Sequence, residues 1–202
     1  NSIDQLANMH INNYFFYDVY NTPANPFPAN VERFTQDWAT FLIPNSETDP
    51  DKRKSYLPVI DTEAVKELVA HVHSTGAKAM LYNMIYAVSL EEGVPNEVKS
   101  AIVRNLQDHF NFGKKGDVTA TDIQQFLDPG DPNWQKFIIE VMTKAMKEGN
   151  FDGWQGDTMG SNWVEKVSEP GKGFSLSEHY PELATAATEA LKKEGYDFMI
   201  ND

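Results

Sequence analysis

The chain has no cysteine among its 202 residues, which excludes disulfides, thiolate metal sites and cysteine nucleophiles. That absence fits an exported protein. Positive charge is scarce: 17 Lys and Arg stand against 30 Asp and Glu, for a formal net charge of -13. Such a surface repels phosphate backbones and anionic lipid, which argues against nucleic acid and membrane as partners, while a neutral polymer is indifferent to the field. No apolar run approaches the ~20 residues that a membrane span needs. The start, Asn1-Ser2-Ile3-Asp4, has no Met, basic region or apolar stretch of a signal, so the natural gene product is expected to begin upstream. There is no Gly-x-Ser-x-Gly elbow, phosphate-binding loop or zinc signature, and no Gly-x-Gly-x-x-Gly turn follows a strand pattern. No cofactor and no metal is expected.

What is present is a chain rich enough in apolar residues, 41% with 12% aromatic, to build a packed core. One unit recurs: a helical pattern, a glycine, then an apolar strand ending in polar or aromatic residues. Asp61 is a predicted N-cap for a helix over Thr62 to Ser74, with Val65, Leu68, Val69 and Val72 on one face. Gly76 closes it, and Lys78 to Val88 reads as a strand. Trp134 to Lys147 repeats the pattern, with Gly149 as its stop and a strand over Asn150 to Gln155. The third copy runs Glu182 to Lys193, Gly195, then Tyr196 to Ile200. Ile3 to Asn8 reads as the tail of a helix before a strand over Ile11 to Val19. Helix, glycine and strand repeated in this way predict βαβ crossovers and a parallel sheet. About four strands can be counted, half of the eight that close a (β/α)8 barrel. The expected fold is therefore α/β, a parallel barrel of TIM type of which this chain covers about half. A doubly wound open sheet is the alternative.

The connections after the strands are long, and those after the helices are little more than a glycine. Tyr20 to Leu57 is rich in proline and holds Trp38; Ser89 to Pro132 holds Phe110 and Phe112; Thr158 to Pro181 holds Trp163 and Phe174. Long loops gathered at strand C-termini lie where barrels place their chemistry.

The run Phe151-Asp152-Gly153-Trp154-Gln155-Gly156-Asp157-Thr158 joins a strand pattern to two glycines, a tryptophan and two carboxylates. A carboxylate at a strand end suits a retaining glycosidase, which needs a nucleophile and a second, protonated carboxyl about 5 Å away. Gly153 and Gly156 permit close packing, and Trp154 offers a face for a sugar ring. Asp152 has the opposite parity to Asp157, so the two should not point the same way. The plainer reading is that Asp157 caps a turn and Asp152 pairs with a lysine. Phe15-Phe16-Tyr17-Asp18 and Leu81-Tyr82-Asn83-Met84 also end strands with aromatic and polar groups that suit a sugar. Phe15, Tyr17 and Tyr82 can equally fill the core. His71 and His73 are two apart on a predicted helix and cannot share a metal. Asp128-Pro129-Gly130-Asp131-Pro132 lacks calcium-loop spacing and reads as a turn opening a helix. Trp134 reads as core packing, and Trp38 and Trp163 as further stacking platforms.

These segments together resemble glycoside hydrolase family 66, the dextranases and cycloisomaltooligosaccharide glucanotransferases. The resemblance rests on His10-Ile11-Asn12 leading into Phe16-Tyr17-Asp18, on Ala79 to Ala87, on Asp128-Pro129 with Trp134-Gln135, and on Phe151 to Gly160. It implies that residues 1–202 are part of a single (β/α)8 catalytic domain, strands 2 to 5, with the barrel not closed within the chain. It implies cleavage of α-1,6-linked glucan with retention of configuration. Asp157 would be the nucleophile, and Tyr17, Asp18, Tyr82, Asn83, Trp154 and Gln155 would line the subsite of the attacked glucose. The family's acid/base is a Glu on a later strand, and no position here matches it. The partner expected is an α-glucan oligo- or polysaccharide, with the remainder of the barrel or self-association completing the fold. A secreted or cell-surface location of bacterial type is implied. A non-catalytic α-glucan-binding module and a transglycosylase forming cyclic isomaltooligosaccharides are the alternatives.

Overall fold

The computed structural model describes residues 2–17, 22–27, 32–33, 48–49, 52, 59–90, 93–108, 114–121, 124–158 and 160–201. After helix α1 (Ser2–Asn8) the described strands are β1 (Asn13–Phe16), β2 (Glu32–Arg33), β3 (Val59–Ile60), β4 (Lys78–Met84), β5 (Ala87–Ser89), β6 (Val103–Asn105), β7 (Thr119–Thr121), β8 (Gln124–Phe126), β9 (Gly153–Asp157), β10 (Trp163–Lys166), β11 (Gly173–Ser175) and β12 (Asp197–Asn201). Helices α2 (Thr62–Ser74), α3 (Pro132–Gly149) and α4 (Leu176–Lys193) alternate with the longer strands.

The expected parallel sheet is present. Strands β1, β4, β9 and β12 lie side by side in chain order, each pair parallel. The crossover segments between them contain α2, α3 and α4 in turn, as the recurring helix-glycine-strand unit requires. Register decides which side chains share a face. Leu81 and Asn83 align with Trp154 and Gly156, and Trp154 with Phe198. This face meets the helices: Asn83 donates through Nδ2 to the Met142 sulfur on α3, and the Tyr14 hydroxyl donates to the Ile3 carbonyl on α1. The other face carries Phe15 and Tyr17, then Met80, Tyr82 and Met84, then Gln155 and Asp157, then Met199. Its middle is buried, yet at its edges Phe15 is 50%, Tyr17 45% and Met199 44% exposed.

The helices follow their local signals, with three differences from expectation. Asp61 caps α2 as predicted, accepting from Ala64 N at 3.0 Å, and Val69 and Val72 are buried while Leu68 is left exposed. The stop of α3 is Asn150, which takes the left-handed conformation at φ 58. Gly149 is needed for space instead, since a Cβ there would meet the Phe151 ring at 2.3 Å. Helix α4 begins at Leu176, well before Glu182, and runs through Pro181. Glu178 Oε1 accepts from Ser175 N, and burial of Leu176 and Tyr180 anchors the early turns against the loss of one backbone donor at the proline.

The long connections are less irregular than their composition predicts. Those after β4 and β9 fold into two three-stranded antiparallel sheets, β5-β8-β7 and β11-β10-β6, and the one after β1 holds the antiparallel pair β2-β3. The β11-β10-β6 sheet unites the connection after β4 with the one after β9, because β6 pairs with β10. The predicted strand Lys78 to Val88 therefore breaks. Its first seven residues stay in the parallel sheet, Ile85 donates its N–H to the Asp157 carbonyl at 3.2 Å, and Ala87–Ser89 turns to pair with β8.

Candidate active site

Asp157 is the last residue of β9, where the parallel sheet meets the inserted sheets. Its neighbours by register are Met84 and Asn201. The space beneath it is set by two glycines. A Cβ on Gly153 would meet the Asp197 carbonyl at 2.4 Å, and one on Gly156 would meet Ile85 Cγ2 at 2.7 Å. Only glycine lets β9 lie this close to β12 and to the turn at Ile85. The close packing inferred from the sequence is present.

The Asp157 carboxylate is gripped by one phenol. The Tyr82 hydroxyl donates to Asp157 Oδ2 at 2.7 Å. Tyr82 is buried, and its ring rests on that of Tyr17, with centroids 4.0 Å apart and a tilt of 40°. Gln155, also buried, is aligned with Tyr82 on the neighbouring strand. Tyr17, Tyr82, Gln155 and Asp157 thus share one face.

Electrostatics follow from burial. Desolvation raises the Asp157 carboxyl above the ordinary carboxylate value, and the hydrogen bonds from Tyr82 and from the Thr158 backbone only partly oppose it. Tyr82 is pushed far above the usual phenol range by burial first, then by its hydrogen bonds with Asp157 and Tyr17. Among the described residues, no second carboxylate is one of the groups that shift Asp157. The site therefore offers one partly sheltered carboxylate and a phenol that keeps its proton.

Comparison with known proteins decides the family. A profile of glycosyl hydrolase family 66 matches residues 1–202. This chain belongs to that family. It is 39% identical over 210 residues to a dextranase of Streptococcus salivarius, covering 99% of this chain and 23% of the relative. Its fold is similar to a Paenibacillus cycloisomaltooligosaccharide glucanotransferase solved with cycloisomaltoheptaose, at a TM-score of 0.68 and 20% identity over 98% of this chain and 27% of that one. An α-galactosidase from Lactobacillus brevis superposes with a TM-score of 0.52 at 11% identity, over 98% of this chain and 24% of that one. The chain spans about a quarter of the length of these proteins.

Two residues expected to line the sugar subsite of a family 66 protein do not join Asp157. Asn83 and Trp154 have the opposite parity on their strands and are fully buried against the helical layer. Asn83 donates to the Pro23 carbonyl at 3.0 Å, and Trp154 Nε1 donates to the Asn83 carbonyl at 3.4 Å with its ring edge-on to Phe198. The expectation is corrected: side chains alternate along a strand, so a run such as Tyr82-Asn83 cannot place both on one face. Asp18, Trp38, Phe110 and Phe112 lie outside the described residues. Trp163 is exposed on β10, and Trp134 is core, donating to the Ile85 carbonyl at 2.8 Å. Asp152 pairs with His73 at 2.8 Å and accepts from Ala79 N, so its partner is a histidine and not a lysine.

Sequence reasoning missed Tyr86. It is buried, and its phenol is raised by desolvation first and then by the charges of Asp157, Tyr180 and Tyr17, which places it within electrostatic reach of the site. The signal was its even number, shared with Tyr82 and Met84, although the strand has ended before it. A cavity of about 410 Å³ lies elsewhere, at the other end of the parallel strands, lined by Asn13, Lys78, Met80 and Asp197 among others. It is formed by residues that begin the strands, and Asp157 ends one, so the two are distinct.

Proposed function

We propose that residues 1–202 carry the nucleophile of a retaining glycoside hydrolase that cleaves α-1,6-linked glucan. The observation that carries this reading is the Asp157 carboxylate at the tip of β9, hydrogen-bonded to Tyr82 and sheltered by burial. The substrate class is supported by the 39% identity to the Streptococcus salivarius dextranase. In this reading the four parallel strands are the second to fifth of a (β/α)8 barrel, and further polypeptide supplies the remaining strands and the acid/base Glu.

In the first step a carboxylate oxygen of Asp157 forms a bond to the anomeric carbon. The bond from that carbon to the leaving oxygen breaks, and the acid carboxyl delivers its proton to that oxygen. In the second step the acid/base group, deprotonated by the first, takes a proton from water, whose oxygen displaces Asp157 from the anomeric carbon. Tyr17 and Gln155, on the same face, contact the bound glucose. A glucan hydroxyl in place of water gives transfer instead of hydrolysis, and the likeness to the Paenibacillus glucanotransferase fold is compatible with either outcome. A polymeric substrate that cannot cross a membrane is consistent with a secreted or cell-surface location.

The test uses the full-length polypeptide. Asp157→Asn should lower kcat on dextran by at least about 10⁴-fold, and azide should restore turnover of an activated glucosyl substrate by Asp157→Gly. Near-normal dextran hydrolysis by Asp157→Asn would remove the residue from the role.

A further inference from the structure

The reading above gives Asp157 a task but leaves a problem. A nucleophile must be ionised and must be aimed, yet burial drives this carboxyl toward its neutral form. We propose that Tyr82 is a positioning residue for Asp157, a fixed hydrogen-bond donor that keeps its own proton while it orients and ionises the carboxylate. This rests on Asp157 being the nucleophile.

Three observations meet here. The hydroxyl donates to Oδ2 at 2.7 Å, short enough for a charge-assisted bond. The phenol is held by its surroundings: it is buried in the centre of β4, and its ring is braced by Tyr17 on the neighbouring strand at 4.0 Å. A donor fixed in this way aims its partner without reorganising as charge leaves the carboxylate. Finally, Tyr82 does not itself act as an acid. Burial and the adjacent carboxylate push its phenol far above any working pH, so its proton stays in place through both steps. Tyr17, whose ring lies against that of Tyr82, is a further cause of that shift.

The sign of the effect follows. Removing the hydroxyl leaves the burial and deletes a bond that favours the ionised form, so the Asp157 carboxyl rises further. The acidic limb of the pH profile of kcat/KM, which reports the free nucleophile, should move to higher pH in Tyr82→Phe by about one unit. At the plateau kcat should fall by roughly 10- to 100-fold from loss of aim. Replacing Tyr82 by 3-fluorotyrosine keeps the fold and sharpens the donor, so the limb should move to lower pH. That second variant decides the matter should the phenylalanine variant fail to fold. The profile is measured on the full-length polypeptide with a soluble glucan oligosaccharide. An acidic limb that stays in place in the fluorotyrosine protein overturns the proposal. Loss of activity in Asp157→Asn with that unmoved limb sinks only the role of Tyr82, whereas retained activity in Asp157→Asn sinks the reading on which it rests.

Discussion

At the scale of single residues, Asp157 shows burial working against charge. Its carboxyl is raised because the folded chain disfavours the charged form. A group raised in this way contributes stability that is fully present below its ordinary value, about pH 4, and is lost as pH rises through the raised value. At neutral pH the ionised Asp157 therefore destabilises the fold. Asp157→Asn should raise the melting temperature at pH 7 by about 1–3 °C, since the amide carbonyl still accepts from Tyr82. The gain should vanish below about pH 4, where the native carboxyl is already neutral. Calorimetric scans at the two pH values check this, and an unchanged or lowered melting temperature at pH 7 would count against the sheltered carboxylate. Tyr82 and Asn83 make a related point. They are adjacent in sequence, and one meets the Asp157 carboxylate while the other packs on Met142. Residue type suggested a site for both, and strand parity separates them.

At the scale of elements, the decisive contact is between β9 and β12. Gly153 has no room for a side chain because the Asp197 carbonyl lies where its Cβ would be, and a backbone atom cannot swing away. Gly153→Ala should cost about 3 kcal/mol or more, visible in urea unfolding as a lower midpoint, and should loosen β12 selectively in hydrogen exchange. Gly156→Ala meets side chains of Ile85 and Phe198, which can shift, so it should cost less. The inserted sheets are held differently. Lys166 on β10 pairs with Asp128 at 3.2 Å and Asp131 at 2.9 Å, while His179 on α4 bonds Asp128 from the other side. Burial alone would raise Asp131, but Lys166 and the N–H groups of Asn133 and Trp134 outweigh it and hold that carboxyl below the usual range. The Asp-Pro-Gly-Asp-Pro turn thus serves as the cap of α3 and as an ion-pair anchor for the segment after Asp157, which is a structural use of its acids.

At the scale of the whole molecule, the parallel sheet carries Phe15 and Tyr17 at one border and Met199 at the other, all about half exposed. Under the proposed barrel these are interior positions awaiting their neighbours. Two such borders on one chain are templates for further strand pairing. Residues 1–202 expressed alone should self-associate, giving sedimentation well above that of a 22.8 kDa monomer and binding of an apolar dye. A compact monomer in analytical ultracentrifugation would contradict the barrel-half reading. Among the described residues no helix is long and apolar enough to cross a membrane.

The sequence by itself determined the alternation of the main helices with the four parallel strands, the cap at Asp61, and the place of Asp157 at the end of one of those strands. These are local matters: periodicity, capping residues and glycine placement act over a few neighbours and can be counted along the chain. Only the tertiary structure decided which face each strand residue took, that the connections after β4 and β9 share an antiparallel sheet, and that Tyr82 meets the Asp157 carboxylate while Trp154 turns its back on it. Those outcomes depend on register between strands distant in sequence and on what each face is packed against, and no local pattern carries that information.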